Sequence, residues 1–398
     1  MADDLVPVLW LTGPAGVGKS VVSWQIFSEL AQAGIHTAFL DTDQLCMCYP
    51  APPEDPGRQR IKARNVAAML PHYRAEGARC VVANGVLDPV DGLCSELLAH
   101  AEVTVCRLRA DRTELVDRFV ERHGPSDDLD DVVKETLDEA DAMDASDFAD
   151  VCVDTSNATV ADVVGLVRDR CHTWPGFSGK LPEWHVRSGG DTTAGDDDES
   201  DGADGNVLLI CGPTGVGKST VGFELYMRYL RAGWTAGYID LDQTGFLQPD
   251  SENDHGHHLL RARNLATMWR TYHAAGARHL VATGPVPTEA VRQTYIDALP
   301  AARVKICRLH AGRAEMRTRI MSRASGGSWP QPGDPLRGQS AEFLVHVADQ
   351  AAADAQAPER AKVADIRIDT DGRTVTEAAD LIAAATDSLP DAAAGQDV

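Results

Sequence analysis

Gly13-Pro-Ala-Gly-Val-Gly-Lys19-Ser20 returns 199 residues later as Gly212-Pro-Thr-Gly-Val-Gly-Lys218-Ser219. In this G-x-x-x-x-G-K-S spacing, Gly13, Gly16 and Gly18, or Gly212, Gly215 and Gly217, let backbone N–H groups turn inward around a polyphosphate. Lys19 or Lys218 can then reach the outer phosphates, and the hydroxyl of Ser20 or Ser219 can ligate a cation at a helix N-terminus. Apolar runs precede both loops (Val6 to Leu11, Val207 to Ile210), and amphipathic stretches follow them (Val21 to Ala33, Thr220 to Ala232). That is the strand, loop, helix order the loop needs, with Thr220 in the first turn of the second helix.

The repeat divides the 398 residues into two units, expected at 1–173 and 206–390 with a tail at 391–398. Between them, 174–205 reads as a linker, because Gly189 to Gly205 holds no strong core former and repels itself through its aspartates. Trp174, Pro175, Phe177 and Trp184 precede that acidic run. They are expected to pack back on the first unit, with docking of one unit on the other as the alternative.

Each unit continues in the same order. A second apolar run ends in acid (Asp41-Thr-Asp43-Gln44, Asp240-Leu-Asp242-Gln243), and a helical stretch carries Arg64-Asn65 or Arg263-Asn264. A third strand ends before Gly85 or Gly284, a fourth carries Cys106 or Cys307, and a fifth ends at Asp154 or Asp369. Strands alternating with helices predict an α/β fold, a doubly wound parallel sheet in each unit with ligands at the strand C-terminal ends.

The net charge of −23 argues against nucleic acid, which is bound by Lys and Arg displacing counterions from phosphates. Residues 191–205 and 124–150 supply −7 and −10 of it. Nine scattered cysteines fit reduced thiols, and Cys46-x-Cys48 is too closely spaced for a zinc site. With no membrane-length apolar run and no signal-like segment, the expected location is the cytoplasm, with no membrane partner. Asp254-His-Gly-His257-His258 reads as a polar surface loop near a substrate entrance rather than a metal site.

Phosphoryl transfer needs held phosphates, a metal, positive charge on the transition state and a group that orients the acceptor. Asp41 and Asp240 are candidates to hold Mg²⁺ with Ser20 and Ser219, and Asp43 and Asp242 to meet an acceptor hydroxyl. Arg64 and Arg263 read either as a solvated face or as substrate clamps. This order of motifs resembles the small P-loop kinases of metabolites and nucleotides, such as shikimate kinase, gluconate kinase, adenylylsulfate kinase and chloramphenicol phosphotransferase. The resemblance spans most of both units and implies ATP and Mg²⁺ as cofactors and a small-molecule acceptor. It also implies Asp41 and Asp240 for the metal, Asp43 and Asp242 for acceptor activation, Arg64 and Arg263 for substrate, and lid arginines over the phosphates. Shikimate kinase's further substrate-binding positions have no identifiable counterpart, so its substrate is not assigned.

The copies part at the lid. From Arg122 to Asp154 is 32 residues, whereas Arg323 to Asp369 is 46. The second keeps Arg317, Arg319, Arg323 and Arg337, while the first follows Arg118 and Arg122 with an acidic tract. An acidic lid repels a triphosphate, so the second unit is expected to be the main catalyst and the first a weaker or regulatory nucleotide binder. The rival expectation is a regulatory nucleotide-binding ATPase with no small-molecule acceptor.

Overall fold

Val6–Thr12 is buried along its whole length, as the central strand of a parallel sheet covered on both faces must be. The computed structural model describes residues 5–123, 129–182, 202–249, 254, 256–324, 334, 336–361 and 363–386. In the first half of the chain the elements are β1 (Val6–Thr12), α1 (Lys19–Gln32), β2 (Thr37–Asp41), β3 (Cys48–Tyr49), α2 (Gln59–Ala75), β4 (Cys80–Asn84), β5 (Ala101–Arg109), α3 (Arg112–His123), α4 (Leu129–Asp144), β6 (Val151–Asp154), α5 (Val160–Arg170) and α6 (Pro175–Ser178). The second half runs β7 (Gly205–Cys211), α7 (Lys218–Arg231), β8 (Ala236–Asp240), β9 (Leu247–Gln248), α8 (His258–Ala274), β10 (His279–Thr283), α9 (Glu289–Asp297), β11 (Ala302–His310), α10 (Arg313–Ala324), α11 (Ala341–Ala361), β12 (Ile366–Asp369) and α12 (Val375–Thr386).

Two six-stranded sheets result, ordered β6-β5-β1-β4-β2-β9 and β12-β11-β7-β10-β8-β3. Five strands of each are parallel, and the two-residue edge strand is antiparallel. Each is thus an α/β doubly wound sheet with its phosphate-type loop after the first strand, the P-loop NTPase arrangement in duplicate. Register places Asp41 beside Asn84 and Asp240 beside Thr283 at the C-terminal ends of neighbouring strands. Both acids therefore arrive at the edge where the loops open.

The units are not the contiguous halves that the repeat predicts. The first is the N-terminal half without Met47–Glu54 but with Phe246–His257, and the second is the complementary set. In the first unit Leu247 and Gln248 pair with Ala38 and Thr37, and Phe246 packs on Trp24 and Phe39 at ring distances of 5.0 and 5.7 Å. In the second, Cys48 and Tyr49 pair with Gly237 and Ala236. The two edge segments follow equivalent Asp-x-Asp-Gln turns in equivalent repeats, so either suits either sheet edge, and local pattern does not choose between them.

The expected linker also begins too early at 174. Trp174 is 1% exposed in the first unit's core, against which Phe177 and Leu181 pack. A Cβ on Gly176 would lie 2.0 Å from Trp174 Cζ3, so the turn of α6 admits only glycine beneath that ring. Trp184, most of the acidic run and the 391–398 tail lie outside the described residues. Among the described residues, no helix is long and apolar enough to cross a membrane.

Candidate active site

Each phosphate-type loop bends through three glycines at positive φ, 141°, 78° and 100° in the first unit and 145°, 82° and 101° in the second. An L side chain would be strained at these angles, so the glycines are what allow the turn into α1 and α7. Those helices begin at Lys19 and Lys218, behind left-handed Gly18 and Gly217, and no side chain caps either N-terminus. First-turn N–H groups and the helix dipole therefore face the loop opening, as an anion site requires. Ser20 and Ser219 occupy the same first turns, and Thr220 beside Ser219 is exposed.

Lys19 Nζ donates to the Gly13 and Pro14 carbonyls at 2.7 and 3.0 Å, and Lys218 Nζ donates to the Pro213 carbonyl at 3.2 Å. Burial lowers the Lys19 pKa, against the opposing pull of Asp43, Glu139 and Asp41. Arg118 and Arg319 play one structural part in both units. Each donates to a loop carbonyl (Val17, 3.3 Å; Val216, 2.9 Å) and to the backbone carbonyl of Thr155 (2.9 Å) or Thr370 (2.8 Å). They fix the segment after the last strand against the phosphate-type loop.

At the end of β2, Asp43 N–H donates to Asp41 Oδ1 at 3.2 Å, and Asp43 Oδ1 accepts from Lys62 Nζ at 2.7 Å and from the Val86 N–H at 3.2 Å. Lys62 also donates to the Val86 carbonyl at 2.8 Å. In the second unit Asp242 N–H donates to Asp240 Oδ1 at 3.1 Å, and Arg261 Nη1 pairs with Asp242 Oδ1 at 3.2 Å.

The pairs are electrostatically split. Desolvation and the neighbouring Asp43 push Asp41 up to about 7, while Asp43, which desolvation alone would raise, is held below the usual carboxylate range by Lys62 and Lys19. Burial lowers the Lys62 pKa and the Asp43 charge more than restores it, for a net rise. Asp240 is likewise raised, by burial first and then by Asp242.

Lys62 and Arg261 were not among the residues expected here. Arg64 and Arg263, which were, sit two positions further along the same helices and are exposed. Two residues turn a helix by about 200°, so the pair cannot share a face. The signal available in the sequence was the three-residue spacing to Asn65 and Asn264, which place a basic residue and a buried asparagine on one face. Asn65 Nδ2 donates to the Leu45 carbonyl at 2.6 Å and Asn264 Nδ2 to the Thr244 carbonyl at 2.7 Å.

Two differences separate the sites. Ser219 Oγ donates to Asp240 Oδ2 at 2.9 Å, whereas Ser20 Oγ donates to Asn84 Oδ1 at 3.1 Å. Position 84 corresponds to Thr283, whose hydroxyl is instead engaged with Tyr238 OH at 3.3 Å.

The second difference is the helix that follows α3 or α10. Arg112 to Asp141 and Arg313 to Asp349 are equivalent ion pairs that set the register of α4 and α11. Buried Thr136 and Met143 then match buried Leu344 and Ala351, and Glu139 matches Val347. Burial raises the Glu139 pKa, against the opposing pull of Lys19 and the Ala15 backbone N–H. Val347 packs on the second unit's core.

Of the expected lid cations, Arg323 is bound to Asp334 at 2.7 Å, while Arg317 and Arg337 are exposed. Residues 124–128, 325–333 and 335 and the Arg122 side chain lie outside the described set. The expected polar surface loop is partly interior: Asp254 and His257 are 7% and 5% exposed. Among the described residues no group of three His, Cys, Asp or Glu side chains is placed to hold a metal. Cys46, Cys48, Cys106 and Cys307 are buried and take part in no disulfide.

No family model matches the sequence. No curated protein matches it either. Among solved structures, the chain is similar to the tunicamycin resistance protein of Deinococcus radiodurans (19% identity, 47% of this chain and 97% of that chain, TM-score 0.32). It is similar also to a gluconokinase from Sinorhizobium meliloti 1021 (14%, 44% and 87%, TM-score 0.29) and to shikimate kinase from Bacteroides thetaiotaomicron (14%, 46% and 98%, TM-score 0.28). The strand order and the paired loops, rather than these likenesses, define the fold.

Proposed function

We propose that the chain is a Mg²⁺- and ATP-dependent phosphotransferase that moves the γ-phosphoryl group to a hydroxyl of a small metabolite, nucleotide or antibiotic-like molecule, with the second unit as main catalyst. The observation that carries this reading is the meeting, at the end of β8 beside the loop, of the Ser219 to Asp240 pair with the Asp242 to Arg261 pair. A hydroxyl and a carboxylate 2.9 Å apart are the hard oxygen donors that Mg²⁺ accepts while keeping its waters. Asp240, buried and raised by its neighbour, is also an acid that a cation would relieve. Bound there, Mg²⁺ would neutralise phosphate charge.

The chain's own groups do the rest. Loop N–H groups and Lys218 hold the outer phosphates, and the α7 N-terminus faces them. Asp242, oriented by Arg261, is placed to accept the acceptor's hydroxyl proton as the hydroxyl oxygen attacks phosphorus and the bond to the nucleoside diphosphate breaks. Arg337 is exposed and Arg323 is paired with Asp334, so these lid cations would reach the transferring group only by turning to it, while Arg319 braces the loop. In the first unit Lys19, Ser20, Asp41 and Asp43 form the parallel set, and Arg64 and Arg263 remain candidate contacts for substrate approaching the outer face of α2 and α8. The acidity of the chain speaks against polynucleotide acceptors.

The rival reading, a nucleotide-binding regulatory ATPase without an acceptor, leaves the second unit's Asp242 to Arg261 pair without a task. The deciding experiment incubates the protein with γ-labelled ATP, Mg²⁺ and a deproteinised metabolite extract. Label in a new small molecule, lost in Lys218→Ala and kept in Lys19→Ala, supports transfer by the second unit. Nucleotide bound and slowly hydrolysed, with no labelled product from extracts of several sources, favours the regulatory reading.

A further inference from the structure

We propose that the two loops differ in their need for a divalent cation. The second takes nucleotide phosphates together with Mg²⁺, the first takes them without it, and Tyr238 with Thr283 against Phe39 with Asn84 sets the difference. This rests on the reading that both loops take nucleotide phosphates.

Two exchanged positions surround the first-turn serine. In the second unit Tyr238 OH donates to the Ser219 carbonyl at 3.4 Å and lies 3.3 Å from Thr283 Oγ1. The phenol has one proton, so when that proton goes to the carbonyl the Thr283 hydroxyl donates to the phenol oxygen. Thr283, beside Asp240 in register, is thereby used up, and Ser219 Oγ turns to Asp240 Oδ2 at 2.9 Å. In the first unit Phe39 stands fully buried at the position of Tyr238 and brings no hydroxyl. It packs on Trp24 and Phe27 at ring distances of 5.0 and 5.7 Å. With no phenol to engage position 84, Asn84 Oδ1 accepts the Ser20 hydroxyl at 3.1 Å. Asn84 lies beside Asp41 in register, is 1% exposed, and its Nδ2 makes no hydrogen bond.

Mg²⁺ takes hard oxygen donors and is drawn by their charge. A hydroxyl paired with a carboxylate offers both within 2.9 Å. A hydroxyl paired with an amide offers oxygen without charge, and the amide adds a positively polarised NH₂ group. The Asp43 carboxylate is itself matched by the buried Lys62 ammonium at 2.7 Å and the Val86 N–H at 3.2 Å, a closer pair than the 3.2 Å between Arg261 and Asp242. The residues of the first site therefore do not fit a divalent cation. Phosphate charge there falls to Lys19, the loop N–H groups and the α1 N-terminus, none of which needs an ion. Such a site holds nucleotide without the metal charge that transfer requires, which suits the first unit to binding rather than chemistry.

The test reads each unit alone in the full chain, the first in Lys218→Ala and the second in Lys19→Ala. ATP is titrated by calorimetry in Mg²⁺ and again in EDTA. The first unit's affinity in EDTA is expected to stay within about 3-fold of that in Mg²⁺, while the second unit loses at least about 10-fold. In Lys19→Ala, adding Tyr238→Phe frees the Thr283 hydroxyl to compete for Ser219 and should shrink that loss at least about 3-fold. In Lys218→Ala, Phe39→Tyr with Asn84→Thr installs the second unit's pair and should raise the dependence on Mg²⁺ at least about 5-fold. A loss above about 3-fold in the first unit overturns the proposal. So does a Tyr238→Phe change that moves affinity equally in both conditions, as a merely structural role would. Thermal unfolding identifies a Phe39→Tyr protein that has lost its fold, in which case Asn84→Thr alone decides. If neither Lys218→Ala nor Lys19→Ala binds nucleotide in either condition, the underlying reading fails. If only Lys19→Ala binds, the first unit takes no nucleotide and the present proposal fails alone.

Discussion

The two phosphate-type loops bend through the same three glycines to within a few degrees of one another, yet what faces them differs. In the second unit Ser219 is turned to a carboxylate, and in the first Ser20 is turned to the amide oxygen of Asn84. The comparison teaches that a loop motif specifies a cradle, because glycine angles and helix N–H groups are local. What the first-turn serine meets is set by a strand end outside the motif, Asn84 in the first unit and Asp240 in the second.

The largest effect that could break this comparison comes from the loop lysines. Lys218→Ala should lower phosphoryl transfer by about 10³-fold, since it removes a cation aimed at the transferring charge. Lys19→Ala should change the rate by less than about 3-fold. Initial rates with γ-labelled ATP measure both, and equal losses would mean that the units work as equals despite their different lids.

Next in size are the second acids of the pairs. Asp242→Asn should cost about 10²- to 10⁴-fold in kcat with little change in the KM for ATP, the signature of a lost general base. Asp43→Asn should leave turnover nearly unchanged. A drop confined to KM would turn Asp242 into a binding group. Arg261→Ala should then cost about 10²-fold by letting Asp242 swing, with Arg261→Lys recovering part of it, since the first unit holds the same contact with Lys62 at 2.7 Å. No recovery would mean that the guanidinium has a second task.

The legible and illegible parts of the molecule divide along a physical line. The strands, the loops and the two acid pairs were open to reading from sequence because each depends on residues within one turn or one strand end. Lys62 and Arg261 were missed in favour of Arg64 and Arg263 because a helix's buried face is known only once its partner strand is placed, and the adjacent apolar residues run on both sides of either choice. The place of Met47–Glu54 in the second unit and Phe246–His257 in the first was not legible, because Cys48-Tyr49 and Leu247-Gln248 are too short to carry register of their own. The match of Glu139 with Val347 was not legible either, because the inserts before α4 and α11 differ in length and only the Arg112 to Asp141 and Arg313 to Asp349 pairs align the two helices.

The smallest expected effect sharpens the comparison most, because it isolates the strand-end difference from the lid. Asn84→Thr replaces the acceptor of the Ser20 hydroxyl with the residue the second unit carries at the register-equivalent position. Asn84 Nδ2 makes no hydrogen bond of its own, so the change removes one weak bond and strands no new buried donor. The Ser20 hydroxyl is then free to turn to Asp41, as Ser219 turns to Asp240. In a protein already carrying Lys218→Ala, Asn84→Thr should make ATP binding by the first unit more dependent on Mg²⁺. The added factor is about 5-fold, the worth of roughly one neutral hydrogen bond. Calorimetry with and without Mg²⁺ reads that factor directly. If ATP affinity shifts equally in both conditions, the asparagine acts on the loop's shape rather than on the serine.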